Sequence, residues 1–365
     1  MASLSLKNRR IGIITYHRAN NFGAVLQCYA LQETLSRLGY FSFVIDYRQP
    51  YTELIYNPVR LDIVKQGLLK PRLLGGYLFK VFPERFKRAK QYNKFRDKYL
   101  RCTQPVHDAQ SIPQDVDVYL IGSDQMWGLH CSGYKVDPIY FGEFPHPEQS
   151  KVCGYAISSN LYSLSKIGRV DLSEYVRNFH TLSFREKTVR DEVKRLTNIE
   201  GRVDIDPSLL LSADDWNQLD LSSSFIKKGK YLLTYFLHEG SDNLHLKSIV
   251  EAYARRIDCK VIDMFDIAFS PLTFLSAIKN ATCVLATSFH AIAFSIIFKK
   301  QFYALKTTDG KDIRYANLLN VLGIPQRLID LDELLIIGDF PIDYQNVYER
   351  LSYLKTESIG YLEKL

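Results

Sequence analysis

Two successive runs in which buried-strand patterns alternate with helical patterns constrain this chain more than any other feature. Arg10–Thr15 (RIGIIT) is almost continuously apolar and ends in the polar turn Tyr16–Gly23, which predicts a strand buried on both faces. Ala24–Leu38 places Val25, Leu26, Tyr29, Ala30, Leu35 and Leu38 at helical spacing, and Gly39 is a natural stop. Phe41–Ile45 predicts a second strand, ending at Asp46. Strand, turn, helix and strand in this length make a parallel βαβ unit. The alternation resumes with strands expected at Val116–Ile121, Val152–Ile157, His180–Phe184 and Arg202–Ile205, and a helix over Thr188–Leu196. A second set follows: strands over Tyr231–Leu237, Cys259–Met264, Thr282–Ala286 and Phe302–Leu305, with helices over Asp242–Arg256 and Phe289–Phe298. Ser270 and Pro271 open another helix that ends near Asn280, with serine as N-cap and proline at the first helical position. The tail from Asp330 is mixed and ends in a helix.

At 365 residues the chain exceeds what one core usually holds. The expected fold class is α/β: two Rossmann-like doubly wound domains facing a cleft. The first domain is expected over 1–220, with a basic helical insertion at about 50–110, and the second over 221–365 with its terminal helix. The boundary falls in the serine- and lysine-rich stretch between Leu221 and Lys230. Hydrophobic residues at 46% and charged residues at 24% exclude disorder or a fibre as the main state. No apolar run approaches the roughly 20 residues of a membrane helix, and Met1–Arg10 has no apolar stretch of the kind a signal peptide carries. The six cysteines are scattered without C-x-x-C spacing. They read as reduced thiols in a cytoplasmic protein, not as a zinc ribbon or redox pair.

The charge is concentrated. The chain has 47 basic and 40 acidic residues, and Arg60–Arg101 alone holds thirteen basic residues against three acids. Aromatic and aliphatic residues are interleaved there, among them Tyr77, Phe79, Phe82, Phe86, Tyr92 and Phe95. A helix pair packed on its domain with a solvated basic face accounts for this pattern. So does an amphipathic surface lying on an anionic membrane. Nucleic acid is not an expected partner, because no RNA- or DNA-binding signature accompanies the charge.

Open parallel sheets bind ligands at the carboxyl ends of their strands, so the residues just after strands are the candidates. Ser288-Phe289-His290 follows a strand and opens a helix, where free backbone N–H groups and the helix dipole favour an anion. An imidazole there can accept a proton from a hydroxyl, or it can simply cap its helix or fill the core. Arg185 stands after another strand; its guanidinium suits a carboxylate or phosphate, or a salt bridge to Glu186 or Asp191. In the first turn Asn20, Asn21 and Gln27 can read hydroxyls, or the asparagines can serve as turn and helix cap, Asn20 before Asn21. That turn is neither G-x-G-x-x-G nor a Gly-Lys-Ser/Thr loop, which argues against dinucleotides and nucleotide triphosphates. Gly122-Ser123-Asp124-Gln125-Met126-Trp127 offers a carboxylate, an amide and an indole, a mixture suited to a sugar, although Trp127 reads first as a core plug. No hydrolase triad or zinc set is present, His17, His107, His130 and His146 are dispersed, and neither metal nor cofactor is expected.

Taken in order, these stretches resemble the polysaccharide pyruvyl transferase family. Ile13–His17, Asn21–Leu31, Ile121–Trp127, Ser183–Lys187, Asp206–Leu210, Ser270-Pro271 and Thr287–His290 carry the resemblance. It implies a glycosyltransferase-B-like pair of domains. It also implies transfer of the pyruvyl unit of phosphoenolpyruvate to a sugar as a ketal, with release of phosphate. The acceptor implied is a lipid-linked oligosaccharide, which would place the enzyme at the inner face of the cell membrane. Arg185 and His290 match the family's donor-binding arginine and its histidine. Ser288 stands where many members carry an arginine, and Arg314 is a candidate substitute. The expected donor set is therefore Arg185, Ser288, Phe289, His290 and Arg314, with His290 catalytic; Asn21, Gln27, Asp124 and Gln125 are expected on the acceptor. A nucleotide-sugar glycosyltransferase and a non-catalytic glycan-binding relative are the alternatives.

Overall fold

The computed structural model describes residues 9–60, 63–65, 71–221, 229–237, 244–267, 269–307, 312–338 and 340–365. The linker residues 222–228, the expected helix start at Asp242, and residues 61–62 and 66–70 of the basic segment lie outside the described residues. The chain forms two compact units, Met1–Leu210 with Ser358–Leu365, and Leu211–Glu357.

In the first unit a four-stranded parallel sheet has the order β2-β1-β3-β4, from β1 (Arg10–Ile14), β2 (Phe41–Val44), β3 (Val118–Ile121) and β4 (Lys151–Gly154). A parallel pair, β5 (Ser183–Phe184) and β6 (Arg202–Val203), continues from β4 through bridges at Cys153–Thr181 and Ile157–Phe184. The strand order reverses between β1 and β3, which makes their carboxyl ends the switch point of this sheet. Helix α1 (Phe22–Arg37) connects β1 to β2 and begins two residues before the apolar periodicity suggests. The reason is its cap: Asn21 Oδ1 accepts the Ala24 N–H at 3.3 Å, a contribution of about 1 kcal/mol. The capping role expected first of Asn20 thus falls to Asn21. Trp127 is a core residue, as its first reading held. It stacks on Phe141 with ring centroids 4.8 Å apart, and its Nε1–H donates to Tyr140 O at 3.0 Å.

Several expected strands are shorter in the structure, and in β4 and β6 the cause is local. β4 stops at Gly154 instead of Ile157, because Ala156 turns to a left-handed φ of 47°. β6 stops at Val203, before Asp204 and Asp206 turn inward to basic partners. Gly122, just past β3, has φ 131°, and a Cβ there would lie 2.0 Å from Tyr155 O. Gly122→Ala is therefore expected to destabilise the first unit by about 3 kcal/mol, from strain and overpacking together. A denaturation midpoint equal to that of the parent would refute this account of the turn.

The long helix α2 (Phe82–Tyr99) precedes β3 and continues from helical turns over Pro71–Gly76 and a π-helical turn over Tyr77–Val81. α3 (Lys187–Thr197) lies between β5 and β6.

The second unit has a five-stranded parallel sheet in the order β11-β10-β9-β7-β8. Its strands are β7 (Tyr231–Tyr235), β8 (Lys260–Asp263), β9 (Cys283–Ala286), β10 (Gln301–Leu305) and β11 (Leu328–Ile329). Here the order reverses between β7 and β9. α4 (Leu244–Arg256) packs Leu246, Ile249, Val250 and Tyr253 into the core with Leu232, Leu285 and Leu305. α5 (Pro271–Asn280) starts as expected, with Ser270 Oγ accepting the Thr273 N–H at 3.1 Å. All nine residues of α6 (Phe289–Ile297) are buried, consistent with a helix that is apolar on every side. α7 (Ile313–Val321) follows β10, and α8 (Tyr344–Leu362) ends the chain.

Candidate active site

The switch point of the first unit is held by Gln27. Its Nε2 donates to Thr15 Oγ1 and to Ala24 O, both at 2.9 Å, and its Oε1 accepts the Ser123 N–H at 3.3 Å. One buried amide thereby joins α1 to the loops after β1 and β3. Gln27, expected on the acceptor, is completely buried and spends its amide on these protein partners.

Arg185, at the end of β5, is almost wholly buried. Its Nε donates to Glu186 Oε1 at 2.9 Å, Nη1 to Asp206 Oδ2 at 2.8 Å, and Nη2 to Ser158 Oγ at 2.9 Å. Ser158 Oγ in turn donates to Glu186 Oε1 at 2.9 Å, and Asp124 Oδ1 lies 3.9 Å from Nη1. Asp206 is fixed on its other oxygen by the N–H and hydroxyl of Ser208, at 2.9 and 2.6 Å. Burial acts to lower the guanidinium's pKa, but Glu186, Asp206 and Asp124 outweigh it and hold the group above its ordinary range. The expected pairing with Glu186 is present; Asp191 instead pairs with Arg190. Three carboxylates thus surround the guanidinium that was expected on the donor. Asp124 and Gln125 are the half-buried members of the strand-end loop. Asp124 adopts φ 72° and accepts the Gln125 N–H at 2.9 Å. Asn21 is exposed at the start of α1.

A second buried network, which no sequence spacing signals, centres on His17. Its Nε2 lies 2.8 Å from Asp46 Oδ1 and its Nδ1 3.1 Å from Thr15 O. Arg48 donates twice to Asp46 Oδ2, at 2.7 and 3.0 Å. Burial pushes the Asp46 carboxyl up, but His17 and Arg48 outweigh it and hold it well below the usual carboxylate range. Arg96 of α2 donates to His17 O at 3.2 Å and to Asn20 Oδ1 at 3.1 Å. The basic segment is thus fastened directly to the loop after β1.

In the second unit, β9 ends at the switch point and passes through Thr287 into α6. Thr287 Oγ1 accepts the Leu237 N–H at 2.8 Å, joining the loops after β7 and β9. Ser288 is the N-cap, its Oγ accepting the Ala291 N–H at 3.4 Å. Phe289 and His290 occupy the first two helical positions, with ring centroids 5.2 Å apart. Both are buried, His290 retaining 8% exposure. Arg314 is half-buried in the first turn of α7, after the neighbouring strand β10. Ser288, Phe289, His290 and Arg314 therefore share the carboxyl edge of one sheet. Glu186 was an expected partner of Arg185, whereas Asp206 and Ser158 showed in the sequence only as polar residues after strands.

These features define a class: doubly wound α/β units whose polar side chains gather where the strand order reverses, at the carboxyl edges where such sheets take small polar ligands. The chain belongs to the polysaccharide pyruvyl transferase family, whose model matches residues 21–309. It is accordingly a transferase of polysaccharide biosynthesis, with a sugar or polysaccharide as acceptor. No curated protein sequence matches it significantly. Among solved structures it is similar to the UDP-GlcNAc 2-epimerase from Neisseria meningitidis bound to UDP-GlcNAc, at 9% identity over 98% of this chain and 97% of that one, with TM-score 0.48. The UDP-GlcNAc 2-epimerase from Methanocaldococcus jannaschii is similar at 12% identity over 94% and 92%, TM-score 0.47. The glycosyltransferase SnogD from Streptomyces nogalater is similar at 11% identity over 98% of both chains, TM-score 0.43. No helix among the described residues is long and apolar enough to cross a membrane.

Proposed function

We propose that this protein transfers the pyruvyl unit of phosphoenolpyruvate to a sugar of a cell-surface polysaccharide precursor, forming a ketal and releasing phosphate. The observation that carries the reading is the opening of α6, where Ser288 caps the helix and His290 sits in its first turn, within the residues matched by the family. The donor's phosphate and carboxylate suit the N–H groups of that turn, with Arg314 supplying a cation from the adjacent helix start. Phe289, whose ring meets the imidazole edge to face, helps keep it in place. His290 takes the proton of the attacking hydroxyl. The hydroxyl oxygen bonds to C2 of the donor while the methylene carbon gains a proton and becomes methyl. Phosphate leaves C2, and a second hydroxyl of the same sugar closes the ring. Of the two hydroxyl protons, one balances the new methyl group and the other the departing phosphate.

Asp124, Gln125 and Asn21 are assigned to the acceptor's hydroxyls. Arg185, whose charged partners are carboxylates, orders the loop that bears Asp124 instead of gripping the donor. The reaction is placed in the cytoplasm, on an oligosaccharide carried by a polyprenyl diphosphate lipid. Incubation with phosphoenolpyruvate and such an oligosaccharide is expected to add a pyruvyl ketal by mass spectrometry and to release phosphate. Thermal stabilisation by a nucleotide sugar but not by phosphoenolpyruvate, with no added mass, would overturn the reading.

A further inference from the structure

Most basic residues of α2 and its flanks fall into two sets that the sequence does not separate. Arg85, Arg88, Arg96 and Arg101 reach toward the domain, whereas Arg72 is exposed. Arg85 donates to Asn57 O at 2.8 Å, Arg96 to the loop after β1, and Arg101 to Ser42 O at 3.0 Å, while Arg88 lies 5.9 Å from the centroid of the Phe22 ring. The lysines Lys80, Lys87, Lys90, Lys94 and Lys98 are all exposed. At 3.6 residues per turn the last four fall within an arc of about 80° on α2. They lie on the side away from the buried Ala89, Tyr92, Phe95 and Arg96.

Beside this stripe lie apolar side chains that the domain does not cover. Phe79 is 85% exposed, Phe86 54%, Val81 45% and Leu78 44%. A solvated basic face has no need of them. Phosphate-backbone binding to nucleic acid would use the lysines but leave these aliphatic and aromatic groups in water.

We propose that this outer face docks on an anionic lipid bilayer, with Phe79, Leu78, Val81 and Phe86 entering the headgroup boundary and the lysines pairing with lipid phosphates. The charge complementarity and the uncovered apolar turn together specify the occupant. Arg96 and the packing of Phe22 on Tyr92, with ring centroids 5.8 Å apart, connect the docked helix to the loop after β1. Docking would thereby hold the switch point of the first unit near the bilayer. The surface stands on its own geometry, and it rests on the pyruvyl-transfer reading only in that the acceptor is lipid-borne.

The test is flotation of the full chain with vesicles of phosphatidylcholine alone or mixed with phosphatidylglycerol, at low and high salt. The protein is expected to float with the mixed vesicles at low salt and to stay behind with phosphatidylcholine alone. A Lys87→Glu, Lys90→Glu, Lys94→Glu variant is expected to bind at least ~10-fold more weakly. A Phe79→Ser, Phe86→Ser variant is expected to lose binding as well, with an unchanged melting temperature, since both positions are exposed. Flotation indifferent to anionic lipid, or unaffected by either variant, overturns the proposal. So does salt-dependent retention of duplex DNA or RNA in place of vesicles. Vesicle binding is read without turnover, so its failure is separate from a failure of pyruvyl transfer.

Discussion

Replacing Arg185 with alanine is expected to lower the stability of the first unit by about 3–5 kcal/mol, the usual cost of breaking a buried ion pair from one side. The side chain is 3% exposed and its partners Glu186 and Asp206 are 2% and 0% exposed. Without the guanidinium, those carboxylates and Asp124 would face one another with no buried cation between them. The deficit should shrink as the pH falls, because a buried carboxyl that has lost its counter-ion takes up a proton more readily and neutralises itself. Arg185→Lys keeps the charge but loses the fork geometry, so it should recover part of the stability. Urea unfolding of the three proteins across acidic pH decides the matter. An alanine variant as stable as its parent would show that the ion cluster contributes nothing. A lysine variant that folds normally but has a KM for phosphoenolpyruvate raised tenfold or more would move Arg185 from positioning to donor binding.

The second large effect is on turnover. His290→Ala is expected to reduce pyruvyl transfer by roughly a hundred- to ten-thousandfold, the range for loss of a general base. The substitution leaves the Ser288 cap in place and puts a strong helix former in the first turn of α6. The melting transition of the second unit should therefore change little compared with the rate. Phosphate release and ketal mass, measured under saturating donor, read the effect directly. A rate within a factor of three of the parent would remove His290 from the chemistry and with it the assignment of the α6 opening.

Most of the architecture was legible in the chain because it depends on local periodicity. The apolar runs at Arg10–Ile14 and Cys283–Ala286, the cap at Ser270 and the stop at Gly39 each depend on a few adjacent residues. Their order also fixes which loops follow strands, and so where His290 and Arg185 would stand. Glu186 adjoins Arg185 in the chain, but Asp124 and Asp206 reach the guanidinium from two other loops, and no spacing along the chain reveals that convergence. Gln27 looks the same in sequence whether its amide reads a sugar or joins Thr15 to Ser123.

The same distinction holds for the charge. Sequence alone establishes that 60–101 is strongly basic and aromatic, since composition is a sum over neighbours. Only packing decides that Arg85, Arg96 and Arg101 turn inward to backbone carbonyls while the lysines stay in water. A guanidinium can satisfy several acceptors at once when buried, whereas an ammonium holds its hydration more tightly. That preference becomes visible only once the fold supplies the acceptors.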